Sequence, residues 1–114
     1  MGWSARFCLL LALTVTPPIT LRVPLGVICP IDPQAGCYIQ FTVHIPAHQD
    51  NRGWGYAWAS EADEGSSVEQ LEGNRAITFF VRQLSLQRET TYVLRACVFR
   101  TKTEFCETRT IQTH

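Results

Sequence analysis

From Cys37 to Ile45 the chain alternates without a break. Ile39, Phe41, Val43 and Ile45 share one parity, and Gln40, Thr42 and His44 share the other. A period of two with this composition specifies a strand that is buried on one face and wetted on the other. Pro46 ends the run, because a proline cannot donate to the ladder. The pattern returns at residues 54–59, where Trp54, Tyr56 and Trp58 oppose Gly55, Ala57 and Ala59, and at 76–84, where Ile77, Phe79 and Val81 face one way. It returns again at 91–99, with Tyr92, Leu94, Ala96 and Val98 against Val93, Arg95, Cys97 and Phe99. A last strand is expected over 104–113 and a short first one over 25–29, bracketed by Pro24, Pro30 and Pro33. No window sustains helical spacing. Six or seven strands in so short a chain predict an all-β fold, an antiparallel seven-stranded sandwich.

The connecting segments are equally legible. Residues 30–36 are a proline-rich turn and 47–53 a polar loop rich in turn formers. Residues 61–73 carry Glu61, Asp63, Glu64, Glu69 and Glu72, and read as a solvated acidic loop with room for one edge strand near 68–71.

The N-terminus bears on the compartment. Residues 7–15 are almost wholly apolar behind a single basic residue, Arg6. That run is too short to span a bilayer, which takes about 20 residues, but it suits a secretory leader. The expectation is a leader over residues 1–20, cleaved somewhere in 16–26, and one domain over 21–114. No second apolar run offers a membrane span, so a secreted, extracellular protein is expected. Cys8 leaves with the leader, and the five cysteines become four: Cys29, Cys37, Cys97 and Cys106. Four cysteines allow three pairings. Their spacing favours the local ones. His44 and His48 follow Cys29 and Cys37, but without the short Cys-to-Cys spacing of a zinc site, and thiols oxidise outside the cell. Neither a metal nor any other cofactor is expected.

Charge and inventory narrow the function. A formal net charge of zero lacks the basic excess that nucleic acid binding requires. Nucleophilic catalysis needs a base beside Ser, Cys or Thr, with a third group to orient it. His44 sits on a strand's polar face, His48 in a loop and His114 at the final position, so no catalytic residue is assigned.

One segment resembles a known family. Leu86-Gln87-Arg88-Glu89-Thr90-Thr91-Tyr92 is similar to the L-x-x-x-T-x-Y corner between strands E and F of fibronectin type III domains. The run from Tyr92 to Phe99 resembles that family's F strand, Gly55-Tyr56-Ala57-Trp58 its C strand, and Thr110-Ile111-Gln112-Thr113 its closing G strand. The resemblance covers residues 23–114. It implies a tyrosine corner built on Leu86 and Tyr92, with the ring in the core and the hydroxyl bonded to upstream backbone. The chain departs from the family in two places. Gln87 to Glu89 stand where a proline and a glycine are usual, and Val43 or Ile45 stands where strand B usually has a tryptophan. Trp58 is expected to fill the central space instead.

The parity of strand F places Cys97 outward, so an inter-sheet bridge of the immunoglobulin kind is disfavoured. Cys97 and Cys106 flank a hairpin at a separation that opposite residues can bridge, and Cys29 and Cys37 flank the proline-rich turn. The pairs 29–37 and 97–106 are therefore expected. Disulfides of these two kinds are similar to those of cytokine-receptor-type relatives, although the Trp-Ser-x-Trp-Ser sequence is absent.

What remains is binding. Seven of the ten basic residues lie between Arg75 and Arg109, and five of the ten acidic ones between Glu61 and Glu72. Outward-facing Gly55, Ala57 and Ala59 beside Val93, Arg95, Cys97 and Phe99 describe a shallow patch. Arg95 and Phe99 would edge it, and the 100–104 turn would extend it with Arg100 and Lys102. A monomeric module that binds an extracellular or cell-surface protein through its loops or this face is the leading expectation, with an acidic polysaccharide as a further partner. A soluble decoy or truncated receptor ectodomain is the alternative, and a small disulfide-stapled protease inhibitor presenting residues 47–53 is a third.

Overall fold

The computed structural model describes residues 16–72 and 75–114; the apolar part of the expected leader, with Cys8, lies outside them, as do the side chains of residues 81–84, Val81 among them. The described chain is all strand and turn, in two antiparallel four-stranded sheets. Among the described residues, no helix is long and apolar enough to cross a membrane.

The first sheet is centred on β3 (Cys37–Ile45), with β6 (Ile77–Leu86) along one edge and the short strands β1 (Thr20–Arg22) and β2 (Val27–Ile28) along the other. The second runs in the order β5 (Glu64–Gln70), β4 (Asn51–Ala59), β7 (Thr91–Arg100), β8 (Glu104–Gln112). The core lies between them. Leu21, Ile39, Phe41, Val43, Tyr92, Leu94, Ala96 and Val98 are all at 0% exposure, as the alternating parities require.

Five local expectations are corrected. Eight strands form rather than seven, because the first edge strand is broken: Pro24 and Leu25 loop out, and Gly26 turns with φ +63°, a conformation costly for a residue with a Cβ. The broken strand also starts earlier than 25, since Ile19 and Leu21 are core residues. The polar loop is shorter, because β4 begins at Asn51. The acidic segment is mostly strand β5, which pairs along its whole length with β4 rather than only near 68–71. Finally, the most buried tryptophan is Trp54, stacked on Phe79 at 4.1 Å, not Trp58. The Trp58 ring lies over Gly65 on the neighbouring strand, where an added Cβ would come within 2.1 Å of it.

A bulge in β6 decides the fate of Leu86. Ile39 pairs with Leu84 but Phe41 with Val81, so β6 carries one extra residue and its parity flips. The flip brings Leu86 into the core at 3% exposure.

The open edge of β1 is closed by side chains from the other sheet. Glu107 accepts the Leu21 N–H at 2.9 Å, and Arg109 Nη2 donates to the Leu21 carbonyl at 2.9 Å. Glu107 and Arg109 also pair with each other at 3.7 Å. Strand edges left bare invite pairing with other chains, and this device removes one such template.

Candidate binding surfaces

Both disulfides form as local bridges, Cys29–Cys37 and Cys97–Cys106. Cys97 and Cys106 face each other in the β7–β8 register, on the outer side of the second sheet. Each bridge closes a loop short enough to contribute ~2–3 kcal/mol by restricting the unfolded chain. Cys97, Glu104 and Cys106 place potential ligand atoms within 4.8 Å of one another, but both sulfurs are committed to the bridge, so the trio offers a cation only one carboxylate.

The corner at residues 86–92 organises one end of the molecule. Tyr92 is fully buried, and its hydroxyl accepts the Gln87 N–H at 2.8 Å. Burial pushes that hydroxyl above its ordinary pKa, and the Asp63 carboxylate pushes the same way, while the Gln87 bond pulls down. Arg88 reaches away from the corner. Its Nε donates to the Ala35 carbonyl at 2.7 Å, Nη2 to those of Asp32 (2.9 Å) and Pro30, and Nη1 to that of His114 at 3.4 Å. One guanidinium thus holds the whole turn enclosed by the Cys29–Cys37 bridge. The turn also carries a bond from Gln34 N–H to Asp32 Oδ1 and presents Ile31 fully to solvent. Glu89 beside it adopts φ 53°, the left-handed conformation that a glycine takes without penalty. Thr113, at 1% exposure, ties the last strand to this corner through Gln87 O, Thr90 N and Thr90 O.

The four residues singled out for binding do not form one surface. Arg95 and Phe99 lie on the outer face of the second sheet. Arg95 sits opposite Ala57 and pairs with Glu104 at 3.8 Å, while Phe99 lies against Gly53. Around them the outer face is apolar. Ala57 and Ala59 are exposed, and Gly53 and Gly55 in the same row are buried against Phe99 and Val68. The Cys97–Cys106 bridge lies beside them, and Val68 and Val93 are exposed at 69% and 45%. Arg100 is on the opposite parity, shared with Val98. Its Nε donates to Oδ1 of Asn51 at 3.1 Å, and its guanidinium lies 4.9 Å from the centre of the Phe105 ring. Asn51 is 1% exposed and donates in turn to the Pro46 carbonyl at 3.0 Å. Lys102 stands in the exposed 101–103 turn beyond it.

Arg100 borders a cleft of ≈ 450 Å³ at this end of the sandwich, lined also by His48, Asp50, Thr101, Lys102, Thr103 and Phe105. Its walls are tied together, since Thr101 N–H donates to Asp50 O at 3.1 Å and Arg100 N–H to Thr103 O at 2.8 Å. The residues that sequence reasoning missed are Asn51 and Arg88. Neither carried a local signal, because each acts through partners distant in the chain.

Compared with known proteins, the chain matches no family model, no curated protein and no solved structure.

Proposed function

We propose that this chain is a secreted, non-catalytic binding module of fibronectin type III type, which engages an extracellular protein through the outer face of the β5-β4-β7-β8 sheet. The carrying observation is that face: exposed Ala57 and Ala59 beside Val68, Val93, Phe99 and Arg95, stapled by a disulfide. Small residues admit close approach, and an arginine beside an aromatic ring is a frequent interface anchor. The strand order supports the family reading, with β3 and β6 in the places of strands B and E, and β4, β7 and β8 in those of C, F and G. The buried, hydrogen-bonded Tyr92 supports it as well.

Secretion carries a structural condition. Ile19 and Leu21 lie in the core, and each fully buried aliphatic side chain is worth about 1.5–3 kcal/mol. Within the 16–26 range, cleavage must therefore fall before Ile19. N-terminal sequencing of the secreted protein is expected to start no later than residue 19; a start at 23 or beyond would remove β1 and contradict the reading.

The binding test is a screen of the oxidised protein against a panel of extracellular domains, followed by Arg95→Ala and Phe99→Ala. Either change should weaken a hit at least about tenfold. Arg95→Ala should leave the thermal midpoint nearly unchanged, because an exposed ion pair contributes little stability, whereas Phe99→Ala, which uncovers Gly53, should lower it. Undiminished binding by both variants would remove the outer face from the account.

A further inference from the structure

The cleft beside Arg100 has a chemistry of its own. Arg100 is half-buried, and its guanidinium is backed by the Phe105 ring and held in place through Nε by an asparagine that is itself buried. Nη1 and Nη2 make no hydrogen bond and no ion pair with any of the described residues. Three other arginines contrast with it: Arg75, Arg95 and Arg109 each pair with a glutamate. A guanidinium oriented through Nε presents its two terminal nitrogens as a planar fork, which matches the two oxygens of a carboxylate.

The rest of the cleft fits the same guest. Thr101 and Thr103 bring hydroxyl groups to it. His48 Nδ1 accepts the Asp50 N–H at 3.1 Å, which leaves Nε2 of the neutral ring as a donor. Asp50 adds a negative charge to the same wall and works against multiply charged guests. Lys102 lines the same cleft as a second, strongly hydrated cation that lacks the planar fork.

We propose that this cleft is a carboxylate-binding site, in which Arg100 receives an aspartate or glutamate side chain of the protein partner. The proposal deepens the binding reading above and rests on it for the source of the carboxylate. The site itself can be tested alone.

The probe is acetate, titrated into the full, oxidised, ¹⁵N-labelled protein against chloride at matched ionic strength. Nε–H of Arg100 and the amides of residues 101–103 should shift saturably with acetate, at least about threefold more than with chloride. Arg100→Lys keeps the charge but removes the fork, and should reduce the acetate shifts to the chloride level. Phe99→Ala should leave them in place, and Lys102→Gln, which removes a second cation from the lining, should weaken but not abolish them. If Phe99→Ala abolishes capture of a partner while the acetate response is absent, the outer face stands and the carboxylate site falls. Equal, non-saturating shifts with both salts would overturn the proposal, as would an acetate response that survives Arg100→Lys. Tight binding of a sulfated oligosaccharide that depends on Lys102 would overturn it in favour of a polyanion.

Discussion

Strand β7 carries an arginine just before its start and another at its end, and the two are used in opposite ways. Arg88 turns inward to its own chain and uses all three nitrogens on the carbonyls of residues 30, 32, 35 and 114. Arg100 uses Nε alone and leaves its fork toward a cleft. The same side chain therefore serves as a clamp at one end and as a candidate receptor at the other. What separates them is the neighbouring loop. The disulfide-closed turn supplies converging carbonyls to Arg88, whereas the other end supplies one buried amide and a ring.

Removing each arginine should sharpen this contrast. Arg88→Ala is expected to show the largest effect, a loss of about 2–3 kcal/mol in urea denaturation, because hydrogen bonds from a charged group are the stronger kind and several carbonyls lose their partner together. A loss below about 0.5 kcal/mol, the range of ordinary surface changes, would break the comparison at its first term.

Glu89→Gly acts at the same end in the other direction. The left-handed backbone at φ 53° costs a residue with a Cβ about 1 kcal/mol or more, so glycine should raise the unfolding free energy in urea denaturation by a comparable amount.

Tyr92→Phe should cost about 1 kcal/mol, since the Gln87 N–H loses its acceptor. It should also change the alkaline limb of stability. The folded-state pKa of Tyr92 is raised, so the folded protein holds its proton where the unfolded chain releases it. Stability is thus complete below the ordinary tyrosine pKa of about 10 and declines as pH rises through that value toward the folded one. Denaturation followed between pH 8 and 11 should show a shallower decline in the Phe variant.

Arg100→Ala should be the mildest of the four in stability, about 1 kcal/mol or less, because it removes one bond to Asn51 while the Asn51–Pro46 bond remains. Its effect belongs instead to the acetate response.

The two ends also differ in how far they could be read from sequence. The long strands were legible because Ile39, Phe41, Val43 and Ile45, and Tyr92, Leu94, Ala96 and Val98, keep a strict period of two over a fully buried face. β5 was legible only around its C-terminal end near 68–71, because Val68 is its only large apolar residue and the rest of the strand exists through pairing with β4 rather than through burial. The expected boundary assigns Ile19 to the leader and makes Leu21 the first residue of the domain, since hydropathy cannot distinguish a core strand that follows a leader closely. The β6 bulge hid the inward turn of Leu86. Arg100 could have been separated from Phe99 by carrying the alternation one residue further. The Arg88 clamp could not have been read at all, because its acceptors lie 53 to 58 residues upstream and 26 downstream.

The contrast between the two arginines is tested most directly by an arginine-selective α-dicarbonyl reagent, with the extent of modification at each residue read by peptide mass spectrometry of the oxidised protein. The reagent needs the terminal nitrogens. Arg100 should react readily, and Arg88 at least about tenfold more slowly, because its reaction has to wait for local opening of the clamp. Equal rates, or faster modification of Arg88, would contradict the assignment of one arginine to the fold and the other to a partner.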